Sequence, residues 1–181
     1  DITNPSAPGT PSYVALTDSA VGVAISGNYA YVAVDDDGLA IIDITNPTAP
    51  GTPSYVALTD DAVGVTISGN YAYVAVDDAG LAIIDITNPS APGTPSYVAL
   101  STYSEGVAIS GNYAYVAVDD AGLAIIDITN PSAPGTPSYV ALTDDAEAVT
   151  ISGNYAYVGT YDYSLAIIDI TNPSAPGTPS Y

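Results

Sequence analysis

The stretch GNYAYVAVDDAGLAIIDITNPSAPG (Gly69–Gly93) decides the fold. Its opening Gly-Asn is a tight hairpin signal, and the YAYVAV that follows is rich in residues that suit a pleated surface. DDAG supplies a second turn, with a glycine free to take positive φ. LAIIDI reads as another strand, and the proline-rich segment after it as a long connection. In the first copy the same pattern gives four strand-like runs: SYVALT (Ser12–Thr17), AVGVAIS (Ala20–Ser26), YAYVAV (Tyr29–Val34) and LAIIDI (Leu39–Ile44). There is no helical periodicity, and β-branched residues and prolines recur throughout, so the chain reads as all-β.

The pattern is periodic. Asp1, Asp43, Asp85, Asp127 and Asp169 each begin a copy of DITNP[ST]APGTPSY, forty-two residues apart. A period of this size signals a propeller or a solenoid. Along the second run Val21, Val23 and Ile25 alternate with Ala20, Gly22 and Ala24, large against small rather than apolar against polar. Both faces of each sheet are therefore expected to be covered by neighbouring sheets. Four short antiparallel strands per repeat, stacked face to face, predict a β-propeller of four four-stranded blades. It is a single domain over 1–181, with blade repeats at about 18–59, 60–101, 102–143 and 144–181.

The Gly-Asn turn, the YAYVA strand and GL-x-IID-I-T-N-P within Gly69–Gly93 resemble the LVIVD repeat, and the resemblance extends over the whole chain. It implies a four-stranded propeller blade and a place in a bacterial or archaeal cell-surface protein. It says little about activity.

Both ends carry DITNPSAPGTPSY. The last repeat stops at Tyr181, where its own outer strand should begin, so the N-terminal strand (residues 12–17) is expected to complete the last blade. Tyr13, Val14, Ala15, Leu16 and Thr17 are thus the closure strand, which removes an open sheet edge. Closure within one chain is favoured by effective concentration. Donation to another copy would instead build a head-to-tail filament or a larger ring.

Composition limits the chemistry. Twelve residue types occur; Lys, Arg, His, Cys, Met, Trp, Phe and Gln are absent, and the net charge is −20. There is no side chain that titrates near neutral pH as a general base, no thiolate and no amine nucleophile. The usual ligands of zinc, haem and iron–sulfur clusters are missing. Nucleic acid and anionic lipid are excluded as partners by charge. No run of about 18 apolar residues suggests membrane insertion. The unrelieved charge points to an ion-rich or extracellular setting. With no initiator Met and no signal peptide, the sequence reads as a processed product, a fragment or a designed chain without a biological role.

Connectivity places the SGN hairpins and TNPSAPGTP loops on one face and the DD-x-G and TDD turns on the other. Asp35, Asp36, Asp60, Asp61, Asp77, Asp78, Asp119, Asp120, Asp144 and Asp145 gather on the second face, where carboxylates could hold Ca²⁺. The plainer reading is that Asp suits tight turns and solubility. On the loop face Ser6, Thr10, Thr52, Ser90, Thr94, Ser132 and Thr136 are candidate O-glycan acceptors in Pro-, Ser- and Thr-rich segments. Against that, proline simply stiffens long connections. STYSEG (Ser101–Gly106) and GTYDYS (Gly159–Ser164) break the repeat and bring Tyr103, Glu105, Tyr161 and Tyr163 to the acidic face, a candidate ligand or sugar-binding surface; drift in exposed turns is the alternative. Glu105 and Glu147 occupy equivalent positions and form a pair of carboxylates, but no polar network supports them. No enzyme and no obligatory cofactor is expected. The expected role is a structural or adhesive module of a cell surface or extracellular assembly, with self, glycans or divalent cations as partners.

Overall fold

A computed structural model describes Asn4, Ser6, Ala7 and residues 9–162 and 164–181. The closely repeated sequence folds into repeated sheets. The first sheet orders β1 (Ala20–Ser26), β2 (Tyr29–Val34), β3 (Gly38–Asp43) and β4 (Ser54–Val56) from inside to outside, every pair antiparallel. The second contains β5 (Ala62–Ser68), β6 (Tyr71–Val76), β7 (Gly80–Asp85) and β8 (Ser96–Val98), and the third β9 (Ser104–Ser110), β10 (Tyr113–Val118), β11 (Gly122–Asp127) and β12 (Ser138–Val140). The fourth has three named strands, β13 (Ala146–Ser152), β14 (Tyr155–Thr160) and β15 (Leu165–Asp169). Each sheet is one blade. The first central residue of every inner hairpin is a glycine at φ between +56° and +57°, as in a type II′ turn.

Inner strands pack in series, β5 on β1, β9 on β5 and β13 on β9. Glycine sets their spacing. A Cβ on Gly22 would meet the Gly64 backbone at 3.3 Å, and one on Gly64 would meet the Glu105 carbonyl at 3.2 Å. The cores lie between blades. Between the first two, Tyr31, Ala33, Leu39, Ile41 and Val56 of one pack against Val74, Val76, Ala82, Ile84 and Ile86 of the next. Removing each large apolar side chain from water contributes roughly 1.5–3 kcal/mol. The large-against-small alternation serves two covered faces in the second and third blades, whereas Val21, Val23 and Ile25 of the first blade are exposed, against the expectation that every sheet is covered on both faces.

Closure differs from the expectation. The last blade is not completed by Tyr13–Thr17: Ile167 pairs with Ser180, its N–H donating to the Ser180 carbonyl at 2.8 Å and its carbonyl accepting from the Ser180 N–H at 3.0 Å. Ser180 is thirteen residues away along the chain, whereas the N-terminal segment is more than a hundred, so the local pairing closes the shorter loop. Residues 12–17 form no strand and lie against the first blade. β13 makes no contact with β1 comparable to those between the other inner strands. Val23 is 66% and Ile25 59% exposed on the first blade, and Leu165 is 51% exposed on the last. The four blades thus form an open arc with a bare sheet face at each end. The remaining outer strands are three residues long rather than the six of SYVALT, because the ladder ends at Val56, Val98 and Val140.

Candidate functional site

Two places on this arc concentrate chemistry: the acidic turns and the two terminal faces. On the acidic side the turn of each blade is latched to the next inner strand by backbone bonds. The N–H of Ala62 donates to Asp35 at 3.0 Å, that of Ser104 to Asp77 at 3.1 Å, and that of Ala146 to Asp119 at 3.0 Å. These latches bring carboxylates of different blades together. Asp60, Asp61 and Asp77 have carboxylate oxygens within 4.8 Å of one another, as do Asp119, Asp120 and Asp145. Hydrogen bonding to the Asp36 carboxyl, then burial and the neighbouring charges of Asp36, Asp35 and Asp60, push the Asp61 carboxyl up to about 6. Asp145 is pushed up to about 6 in the same way, first by hydrogen bonding to Asp120. Asp77 is raised by burial and then by Asp78, Asp60, Asp119 and Asp35.

Of the other candidates, Asp35 is the one non-glycine at positive φ (24°) among the described residues. Asp78 is exposed, and Asp144 accepts a hydrogen bond from the Asp162 N–H. The middle pair of blades has no counterpart of the Asp36–Asp61 contact, because Tyr103 stands where Asp61 and Asp145 stand in their repeats. Tyr103 and Tyr161 are exposed at the start of the third blade and in the last turn of the fourth; Tyr163 lies outside the described residues. Glu105 and Glu147 fall where the register of β9 on β10 and of β13 on β14 slips by one residue. Such a bulge re-aims a side chain. Burial, then Glu147, Asp77 and Asp119, raise the Glu105 carboxyl.

Beside Glu105, Ser104 fills a place that is alanine in the other three copies, and its hydroxyl is buried without a partner. An unpaired buried hydroxyl costs stability, so Ser104→Ala is expected to stabilise the chain by about 1 kcal/mol. Thermal denaturation followed by circular dichroism checks this; a lower Tm would mean that the hydroxyl is paired.

The loop face is built from repeated side-chain caps. Asp43, Asp85, Asp127 and Asp169 each accept the N–H two residues on at 2.8 Å, from Thr45, Thr87, Thr129 and Thr171. Hydrogen bonding from the same threonines' hydroxyls, and then these N–H bonds, hold all four carboxyls below the usual carboxylate range. Asn46, Asn88, Asn130 and Asn172 cap the following turn in the same way. Ser6, Thr10, Thr52, Ser90, Thr94, Ser132 and Thr136 are all exposed on these loops.

At the terminal faces, Val14 and Leu16 pack on Ala30, Val32, Val34, Ala40 and Ile42 of the first blade. Their repeat equivalents Val56 and Leu58 pack between the first and second blades. The Ser12 hydroxyl donates to the Pro47 carbonyl at 2.8 Å, as the Ser96 hydroxyl does to Pro131 at 3.5 Å. The Thr17 N–H donates to the Tyr55 hydroxyl at 3.2 Å, as that of Thr59 does to Tyr97. Residues 12–17 therefore sit on the first blade in the place that an outer strand of a preceding blade would take. A cleft of about 450 Å³ separates Ser12–Ala15 from the loop Thr48–Pro53. Sequence reasoning found this segment but placed it at the wrong end of the arc; the glycine spacing of the inner strands was legible only as glycine inside a strand.

The LVIVD repeat model matches residues 18–57, 60–99, 101–141 and 144–179. None of the curated proteins matches the chain. Among solved structures it is similar to the computationally designed Ika4 protein, at 14% identity and TM-score 0.68, over 89% of this chain and 97% of that one. The computationally designed Ika8 protein is similar at 15% identity and TM-score 0.66, over 85% of this chain and 46% of its own. BamB from Moraxella catarrhalis is similar at 21% identity and TM-score 0.63, over 91% and 49%. The chain spans about half the length of the last two.

Proposed function

The chain belongs to the LVIVD repeat family, and on that premise we propose that it is a non-enzymatic structural or adhesive module of a cell surface or extracellular assembly. Copies add head to tail, each donating Tyr13–Thr17 as an outer strand to the last blade of its neighbour, and the product is a filament or a closed ring of copies. The observation that carries this reading is the seat of residues 12–17, held on the first blade through Val14, Leu16 and Thr17 as Val56, Leu58 and Thr59 are held on the second. At the outer edge of the last blade a single bridge, Ile167 with Ser180, stands where the first blade pairs Leu39–Ile41 with Ser54–Val56.

Light scattering after size exclusion tests the reading. Mass is expected to rise above 18.2 kDa with concentration and with added salt, which screens the charge of −20. An excess of a free peptide copying Pro11–Thr17 is expected to lower it. A monomer at every concentration and salt level overturns the proposal. A second reading, favoured by the close carboxylates of Asp60, Asp61 and Asp77 and of Asp119, Asp120 and Asp145, is that divalent cations hold neighbouring blades together on the acidic face.

A further inference from the structure

Each of the three joints inside the arc is made of the same parts. The trailing face of a blade offers two tyrosines, a small residue, a leucine and an isoleucine, as in Tyr29, Tyr31, Ala33, Leu39 and Ile41. The leading face of the next blade offers the inner-strand pair Val65 and Ile67 with Val74, Val76 and Ile84 behind them. The ends of the arc carry one face of each kind, unpartnered. The trailing face of the last blade presents Tyr155 (44% exposed) and Leu165 (51%), beside half-buried Tyr157 and Ile167. The leading face of the first presents Val23 and Ile25, at 66% and 59% exposure, although Val65, Val107 and Val149 are all partly buried in joints.

We infer that a second copy of this chain covers these faces, its first blade seating on the last blade of its neighbour as a fourth joint of the same kind. This rests on the head-to-tail reading above and adds two sheet faces to the donated strand. The complementarity is inherited from the repeat. Val23 and Ile25 of the second copy meet Tyr155, Tyr157, Leu165 and Ile167 of the first, and Val14 and Leu16 arrive already packed on the incoming blade. Val14 then pairs with Leu165 as Val56 pairs with Leu39. The Ile167–Ser180 bridge, the bond from the Ser180 hydroxyl to the Ile167 carbonyl at 3.2 Å and the Tyr181 hydroxyl, which accepts from the Thr143 N–H at 3.0 Å, have to give way. Two substitutions make this joint looser than the internal ones. Ala148 stands where Gly22, Gly64 and Gly106 let the next inner strand approach, and Ser164 where Gly38, Gly80 and Gly122 lie under an outer strand.

Two charged variants test the faces without touching a buried position: Val23→Asp with Ile25→Asp, and Leu165→Asp. In molar masses measured across a concentration series in high salt, each variant alone is expected to associate about 100-fold more weakly than the parent chain, or worse. An equimolar mixture of the two has one intact joint and is expected to stop at two copies. Ala148→Gly is expected to tighten association. If the parent chain associates and both charged variants associate equally well, the strand acts alone; the head-to-tail reading stands and the face-to-face joint does not. If Leu165→Asp is harmless and the Val23, Ile25 variant is not, like faces pair and the joint is overturned. A parent chain that never associates removes both.

Discussion

Gly80→Ala is expected to destabilise the chain by about 3 kcal/mol, against about 1 kcal/mol for Gly69→Ala. Both glycines have positive φ, +90° and +57°, where an L side chain is strained. At Gly69 that strain is the whole cost, because nothing lies within 4 Å of an added Cβ. At Gly80 the same atom would run into the Val98 carbonyl oxygen and stand 2.8 Å from the Leu100 nitrogen. The backbone leaving β8 crosses directly over the turn, so β8 and the leucine behind it would have to lift off a core in which Val98 is buried. Overpacking of this kind adds roughly 1–3 kcal/mol to the conformational term. Gly38 and Gly122 have the same surroundings and the same expected cost. The fourth copy carries Ser164 in this place. Urea denaturation of the two variants side by side decides the matter: equal losses would mean that the crossing strand yields freely.

That contrast also shows what the sequence could and could not disclose. The repeat, the Gly-Asn hairpins and the inner strands are local, and Ala20–Ser26 and Tyr29–Val34 fall where the pattern predicts them. The caps made by Asp43, Asp85, Asp127 and Asp169 on the N–H two residues on are equally local. The outer strand was over-read, because YVALT looks strand-like throughout. Beyond Val56 its backbone leaves the ladder, and the Thr59 N–H is held by a tyrosine hydroxyl from the next blade. Closure was misplaced for a different reason. Identical ends give two segments equal claim to one edge, and the choice falls to loop closure, which favours the segment thirteen residues away. The Asp36–Asp61 and Asp120–Asp145 contacts join residues of successive repeats. Their signal was present but faint: Asp61 and Asp145 open the second and fourth repeats, whereas Ser19 and Tyr103 hold that place in the first and third.

Those two contacts are expected to give the chain an acid optimum of stability. With carboxyls raised to about 6 in the folded state and near 3.9 when unfolded, Asp61 and Asp145 hold protons that the unfolded chain has released. The folded state binds more protons between about pH 4 and pH 6, so their contribution is complete below that window and is lost as pH rises through it. Asp43, Asp85, Asp127 and Asp169 work in the opposite sense. Their carboxyls are lowered, first by the Thr hydroxyl and then by the Thr backbone, so their contribution is present above about pH 4 and lost below it. The two trends cross between about pH 4 and pH 5, where Tm is expected to be highest and several degrees above its value near pH 7.5. Self-repulsion at a net charge of −20, with no cation in any side chain, pushes the same way on the alkaline side. Asp61→Asn together with Asp145→Asn removes the coupled carboxyls, raises Tm near pH 7.5 and flattens the alkaline limb; an unchanged limb would assign it to net charge alone. Calcium separates the two remaining accounts at the same pH. A divalent ion seated among Asp60, Asp61 and Asp77 or Asp119, Asp120 and Asp145 competes with the shared proton and raises the Tm of the parent chain at a fixed ionic strength, but not that of the double variant. Equal gains in both proteins would reduce calcium to a screening ion.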